Sequence, residues 1–182
     1  MANYVCYPMT QIPEMHVAHV TAPAGGITAG SVVVIDTIDN AIAGNFTQFV
    51  ATATTAANIK TNRIGIVING GFEQLPDGRR PAGQPDFTQY TYPAGETVPV
   101  ILFAPDLTFY LSDDCLAAAG VLNNFLIPAA GTKVLATAAA RSATVLSHAK
   151  IMAKKYFRLG GQFGAGFANG NVCRVMPEVV IA

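Results

Sequence analysis

Two histidines three residues apart, His16 and His19, have the chemistry of metal ligands. They lie in a strand-like run, where positions i and i+3 point to opposite faces, so their spacing does not suit one metal ion. Asp113-Asp114 after Ser112, with Asp106 nearby, offers carboxylates for Ca²⁺, but the D-x-D-x-D-G spacing of a calcium loop is absent and adjacent acids commonly close a turn. The glycines of residues 160–170 invite comparison with a phosphate loop. There is, however, no G-x-x-x-x-G-K-[ST] and no strand feeding a helix at G-x-G-x-x-G. Ser147-His148 pairs a nucleophile type with a base type, without a G-x-S-x-G elbow or an identifiable orienting acid. Cys6, Cys115 and Cys173 are odd in number, far apart and without a C-x-x-C pair, which fits buried thiols better than a disulfide framework or a zinc site. These patterns predict a non-enzyme with no catalytic residue, metal or cofactor.

Contact chemistry is better represented. Lys150, Lys154, Lys155 and Arg158, with Tyr156 and Phe157 interleaved, form a basic run that suits a partner-facing patch. Residues 1–132 carry 10 acidic and 4 basic side chains, whereas 133–182 carry 7 basic and one acidic, giving −6 and +6 in a chain of net charge zero. Charged residues are only 12% of the 182 and hydrophobic residues 51%, so much of the surface is neutral, which favours association over solubility. That balance also excludes intrinsic disorder and argues against nucleic acid as the partner. Tyr4, Tyr7, Met9 and Ile12 near Pro8 and Pro13 predict an extended contact arm over residues 1–22. Arg79-Arg80 in a Pro/Gly loop can reach a partner, and Phe163 and Phe167 are candidate anchors in a glycine-rich loop at 160–171.

The elements that must position these residues are short. Turn signals recur at Gly25-Gly26, Gly30, Asn69-Gly70-Gly71, Asp77-Gly78 and Gly95, and between them lie Val/Ile/Thr/Phe/Tyr runs spaced as in an all-β sandwich or barrel. Strands are predicted at 15–21, 31–36, 45–52, 63–69, 87–92, 97–103, 108–111, 132–137 and 171–181. Val32–Ile35 and Ile64–Ile68 are unbroken apolar runs, so both faces need cover, either inside a closed barrel or against a neighbouring subunit. Residues 138–158 fit one helix or alternating strand segments equally well. The reading is a single β-rich domain over 23–182 behind the arm. The first twenty residues lack the charged and apolar regions of a secretory leader, and no apolar run approaches a membrane span, so synthesis in the cytoplasm and no membrane partner are expected.

Three passages carry a resemblance: Ala24-Gly25-Gly26-Ile27-Thr28-Ala29-Gly30-Ser31-Val32-Val33-Val34-Ile35-Asp36, Arg63-Ile64-Gly65-Ile66-Val67-Ile68-Asn69-Gly70-Gly71-Phe72, and Tyr92-Pro93-Ala94-Gly95-Glu96-Thr97-Val98-Pro99-Val100-Ile101-Leu102-Phe103 with Asp106 to Asp113. Together they resemble the β-rich head decoration (capsid cement or auxiliary) proteins of tailed bacteriophages. The resemblance covers residues 24–115. It implies a compact β-barrel or β-tulip domain, commonly a homotrimer, that binds the outside of an assembled capsid and bridges capsomers. Its partners would be the major capsid protein and copies of itself, and its place the virion surface. A major capsid or coat protein with a jelly-roll core, and a ligand-binding β-domain of a head fibre, are the alternatives.

Overall fold

Short β-branched runs bury side chains at alternate positions, and two such sets of strands build the molecule. The computed structural model describes residues 6–8, 16–39, 48–55, 57–69, 91–105, 107–129, 134–142, 145, 147–158 and 167–177. In chain order the strands are β1 (Cys6–Pro8), β2 (Val17–Thr21), β3 (Ile27–Thr28), β4 (Val32–Ile35), β5 (Gln48–Val50), β6 (Arg63–Val67), β7 (Thr91–Tyr92), β8 (Thr97–Leu102), β9 (Thr108–Ser112), β10 (Phe125–Pro128), β11 (Leu135–Ala138), β12 (Ser147–Arg158) and β13 (Phe167–Pro177). One helical turn, α1 (Asn58–Thr61), precedes β6, and a 3-10 turn spans Asp113–Cys115. The fold is mainly β, as the sequence predicts, and each of the nine expected segments overlaps an observed strand.

β4-β6-β8-β2-β5 form a five-stranded sheet that curls on itself. Its ends approach through a bridge between Val34 and Thr52, with Val34 N donating to Thr52 O at 3.0 Å and Val50 N to Thr37 O at 2.9 Å. Val20, Val33, Ile35, Val67, Val98, Val100 and Leu102 fill the inside of the curl, capped by Ile27 and Tyr92 of the small β3-β7 sheet. Gly65 faces this interior at close quarters: a Cβ there would run into Val100 and Ile35. The opposite wall, through Val32, Ile64, Ile66 and Ile101, packs on a six-stranded sheet of order β1-β9-β13-β12-β10-β11. From that sheet come Cys6, Phe109, Leu111, Leu126, Leu135, Ile151, Cys173 and Val175. Each fully buried Leu, Ile, Val or Phe contributes about 1.5–3 kcal/mol by leaving water.

The apolar runs at 32–35 and 64–67 therefore have both faces covered within one chain, by the curl's interior and by the intersheet core, and need no neighbour for that purpose.

Two expectations change and one open alternative is decided. The predicted arm is partly built into the domain: β1 pairs with β9, Cys6 is fully buried, and Cys6 and Asn69 exchange backbone and side-chain hydrogen bonds of 2.9 and 2.6 Å. β2 lies between β5 and β8 inside the curled sheet. Residues 147–158 are strand, not helix, paired along their length with β13. Of the predicted glycine-rich loop, residues 167–171 belong to β13, and 160–166 lie outside the described residues.

Candidate functional site

The basic run is carried by β12, and a bulge decides which way each cation points. Up to Ile151 the register with β13 is regular, Lys150 opposite Arg174 and Ile151 opposite Cys173; the next pair is Ala153 with Val172, leaving Met152 as the extra residue. A one-residue slip inverts the faces of all that follows, so Lys154, which would otherwise share the face of Lys150, turns inward opposite Asn171.

There it is consumed by the chain itself. Lys154 Nζ donates to the Gly120 carbonyl and lies 3.9 Å from Asp113 Oδ2. Asp113 Oδ1 accepts from Gly120 N at 3.1 Å and from Asn171 Nδ2. This cluster pins the segment 113–120 to β12 and β13. Lys154 thus has a structural role within the chain although it remains exposed, as is Lys155 opposite Gly170.

On the outer face, before the bulge, one cross-strand row reads Ala138, Phe125, Lys150, Arg174, Thr108. The Arg141 guanidinium carbon lies 5.8 Å and Lys150 Nζ 6.0 Å from the centre of the Phe125 ring, within cation–π range. His148, fully buried, meets the same ring edge-on at 5.1 Å. Lys150 and Arg174 stand directly opposite each other on paired strands, an arrangement of like charges that by itself opposes strand pairing. Sequence reading overlooked Phe125 and Arg141, because the short β10 and the register that joins it to Lys150 leave no periodic signal.

Of the other candidates, Tyr4, Met9, Ile12, Arg79, Arg80 and Phe163 lie outside the described residues. Tyr7 takes a position in β1 opposite Tyr110, and Phe167 opens β13 opposite Arg158. Among the described residues no group of His, Cys, Asp or Glu is arranged to hold a metal ion. The three thiols are buried, as predicted; burial, with Cys115 and Cys173 nearby, pushes the Cys6 thiol well up, and burial then Asp113 does the same for Cys173. Unreactive core thiols follow. A cavity of about 280 Å³ is lined by His16, Asn62 and Arg63 over Ile64, Leu102 and Phe103. Its volume falls just below the range of pockets that enclose a drug-sized ligand. No protein-family model, curated protein or solved structure matches this chain.

Proposed function

We propose that this chain is a structural virion component that binds the outer surface of a phage capsid and stabilises it by bridging capsomers. It acts by contact, without catalysis or a cofactor, and its partners are the major capsid protein and further copies of itself in a homotrimer.

The observation that carries the reading is the arrangement of the three resembling passages. They supply β3 and β4, β6, and β7, β8 and β9; β4, β6 and β8 are neighbours in one curled sheet, and β9 lies in the six-stranded sheet. Passages far apart in sequence thereby contribute the adjacent central strands of one curled sheet, which supports the reading. The low share of charged residues and the partly exposed cation–aromatic group of Arg141, Phe125 and Lys150 on the second sheet suit the neutral and electropositive surface that an assembly component needs.

Co-sedimentation with purified capsids tests the proposal. Saturable binding at a fixed ratio to the capsid protein, with capsids made more resistant to heat or dilution, is the expected result. Absence of binding to the capsids of the virus that encodes the chain would overturn it.

A further inference from the structure

Lys154, Asn171 and Asp113 meet at Gly120, and they bring together an amine, a carboxamide and a carboxylate that touches both. Lys154 and Asn171 stand directly opposite each other on β12 and β13, so their side chains share one face. Asp113 links them: Oδ1 accepts from Asn171 Nδ2, and Oδ2 lies 3.9 Å from Lys154 Nζ. An ionised carboxylate only accepts, which fixes the end of the Asn171 amide that faces it as the nitrogen. The other end, Oδ1, is buried with no hydrogen-bond partner, and Asn171 as a whole is 0% exposed.

A buried carbonyl left unpaired is costly in an amide whose work is only structural, and such exceptions call for an explanation in the chemistry of the group. Gly120 makes room for the amide. A Cβ there would stand 2.5, 2.6 and 2.7 Å from Asn171 Nδ2, Oδ1 and Cγ, too close for any other residue. The Gly120 carbonyl also accepts from Lys154 Nζ, so one backbone unit seats the amine and the amide carbon together. An ion pair by itself needs neither a wholly buried carboxamide nor a glycine pressed against its carbon.

We infer that Lys154 and Asn171 are the partners of an intramolecular isopeptide bond, formed once per chain, with Asp113 carrying the protons between them. The Lys154 ammonium passes a proton to Asp113 Oδ2, and the neutral amine attacks Asn171 Cγ. The Nζ–Cγ bond forms and the Cγ–Nδ2 bond breaks. Asp113 already holds the departing nitrogen through Oδ1 and delivers protons to it. Two protons pass in all from the lysine nitrogen to the asparagine nitrogen, ammonium leaves, and Asp113 ends ionised as it began. No oxidant, metal or cofactor enters the balance. Burial of Asn171 keeps water from Cγ, and the fold holds amine and amide together, so the step has the advantage of an intramolecular reaction. In the chain as first made, the cluster acts through its hydrogen bonds and ion pair alone; the bond then staples β12 to β13. It belongs to the single chain and does not depend on capsid binding.

Intact-mass spectrometry of the full chain, followed by tryptic mapping, tests the inference. After incubation of the folded chain in mildly alkaline buffer, which supplies neutral amine, the mass should fall by one ammonia. Residues 151–155, left uncut at Lys154, should then be found joined to residues 159–174. The joined chain should also unfold at a higher urea concentration than the chain before incubation. Lys154→Arg keeps the cation without a nucleophilic amine, and Asp113→Asn keeps the shape of the side chain without its capacity to carry a proton. Both should retain the full mass through the same incubation. Lys154→Arg decides the matter if Asp113→Asn exposes the buried thiols and hence loses its fold. A wild type that keeps its full mass after prolonged incubation, an ammonia loss that maps to another asparagine with no joined peptides, or the same joining in Lys154→Arg would each overturn the inference.

Discussion

Lys154 and Lys150 are four residues apart, chemically identical, and put to different uses. Lys154 closes the Asp113–Gly120–Asn171 cluster at half-buried positions, so Lys154→Ala should lower the unfolding free energy by about 1–2 kcal/mol, with little effect on association. Urea unfolding checks this, and Lys155→Ala, on the exposed side, should shift the midpoint negligibly. The thiols give a pH prediction. Buried Cys6 and Cys173 stay neutral in the folded chain well above the ordinary thiol range, whereas in the unfolded chain they ionise near about pH 8.5. Their folded pKa is raised, so this contribution to stability is fully present below about pH 8.5 and is lost as pH rises, by about 1.4 kcal/mol per pH unit per thiol. Urea midpoints between neutral and alkaline pH should therefore fall, and fall less steeply in Cys173→Ala; an unchanged slope would contradict the buried, neutral thiol. The same burial predicts that a thiol reagent labels none of the three cysteines until the chain unfolds.

At the scale of elements, β1 and the β12 bulge show where local structure depends on distant partners. Deleting residues 1–14 removes β1, empties the Cys6 site in the core and strands the β9 edge, so a loss of about 2 kcal/mol or more in urea unfolding is expected. An unchanged midpoint would mean that β1 is a detachable arm. The strands at 32–35, 63–67 and 97–102 are legible in the sequence because glycine turns lie close to them and their runs Val32–Ile35, Ile64–Val67 and Val98–Leu102 are apolar and largely buried on both faces. β12 is not legible, and the bulge is the reason. An extra residue at Met152 breaks the period of two, leaving Lys150, Lys154 and Lys155 at spacings that mimic one helical face. The two-residue β3 and four-residue β10 are too short for periodicity to register at all. The meeting of the 121–124 turn with the bulge at Met152 carries no sequence signal either, since it is made by backbone hydrogen bonds of Asn123 and Asn124 with Ile151.

For the whole molecule, two cores share one wall: the five-stranded sheet faces its own interior on one side and the six-stranded sheet on the other. Damage to that wall should reach both. Gly65→Val forces a side chain against Val100 and Ile35 inside the curl and should unfold the chain or cost about 3 kcal/mol or more, in one transition rather than two, by circular dichroism and calorimetry. A separate early transition would show that the two sheets are independent units. The position of this shared wall also explains why apolar strands alone do not announce a subunit interface here; under the proposed function, the surface offered to partners is the outer face of the second sheet, with its cations. The central claim is that such a surface serves capsid binding, and it is tested most directly by mixing the purified chain with capsids and measuring the bound ratio after sedimentation as the protein concentration rises. Saturation at a fixed number of chains per capsid, together with a higher temperature of capsid disruption, is the predicted result; a chain that remains in the supernatant at every concentration would contradict the account.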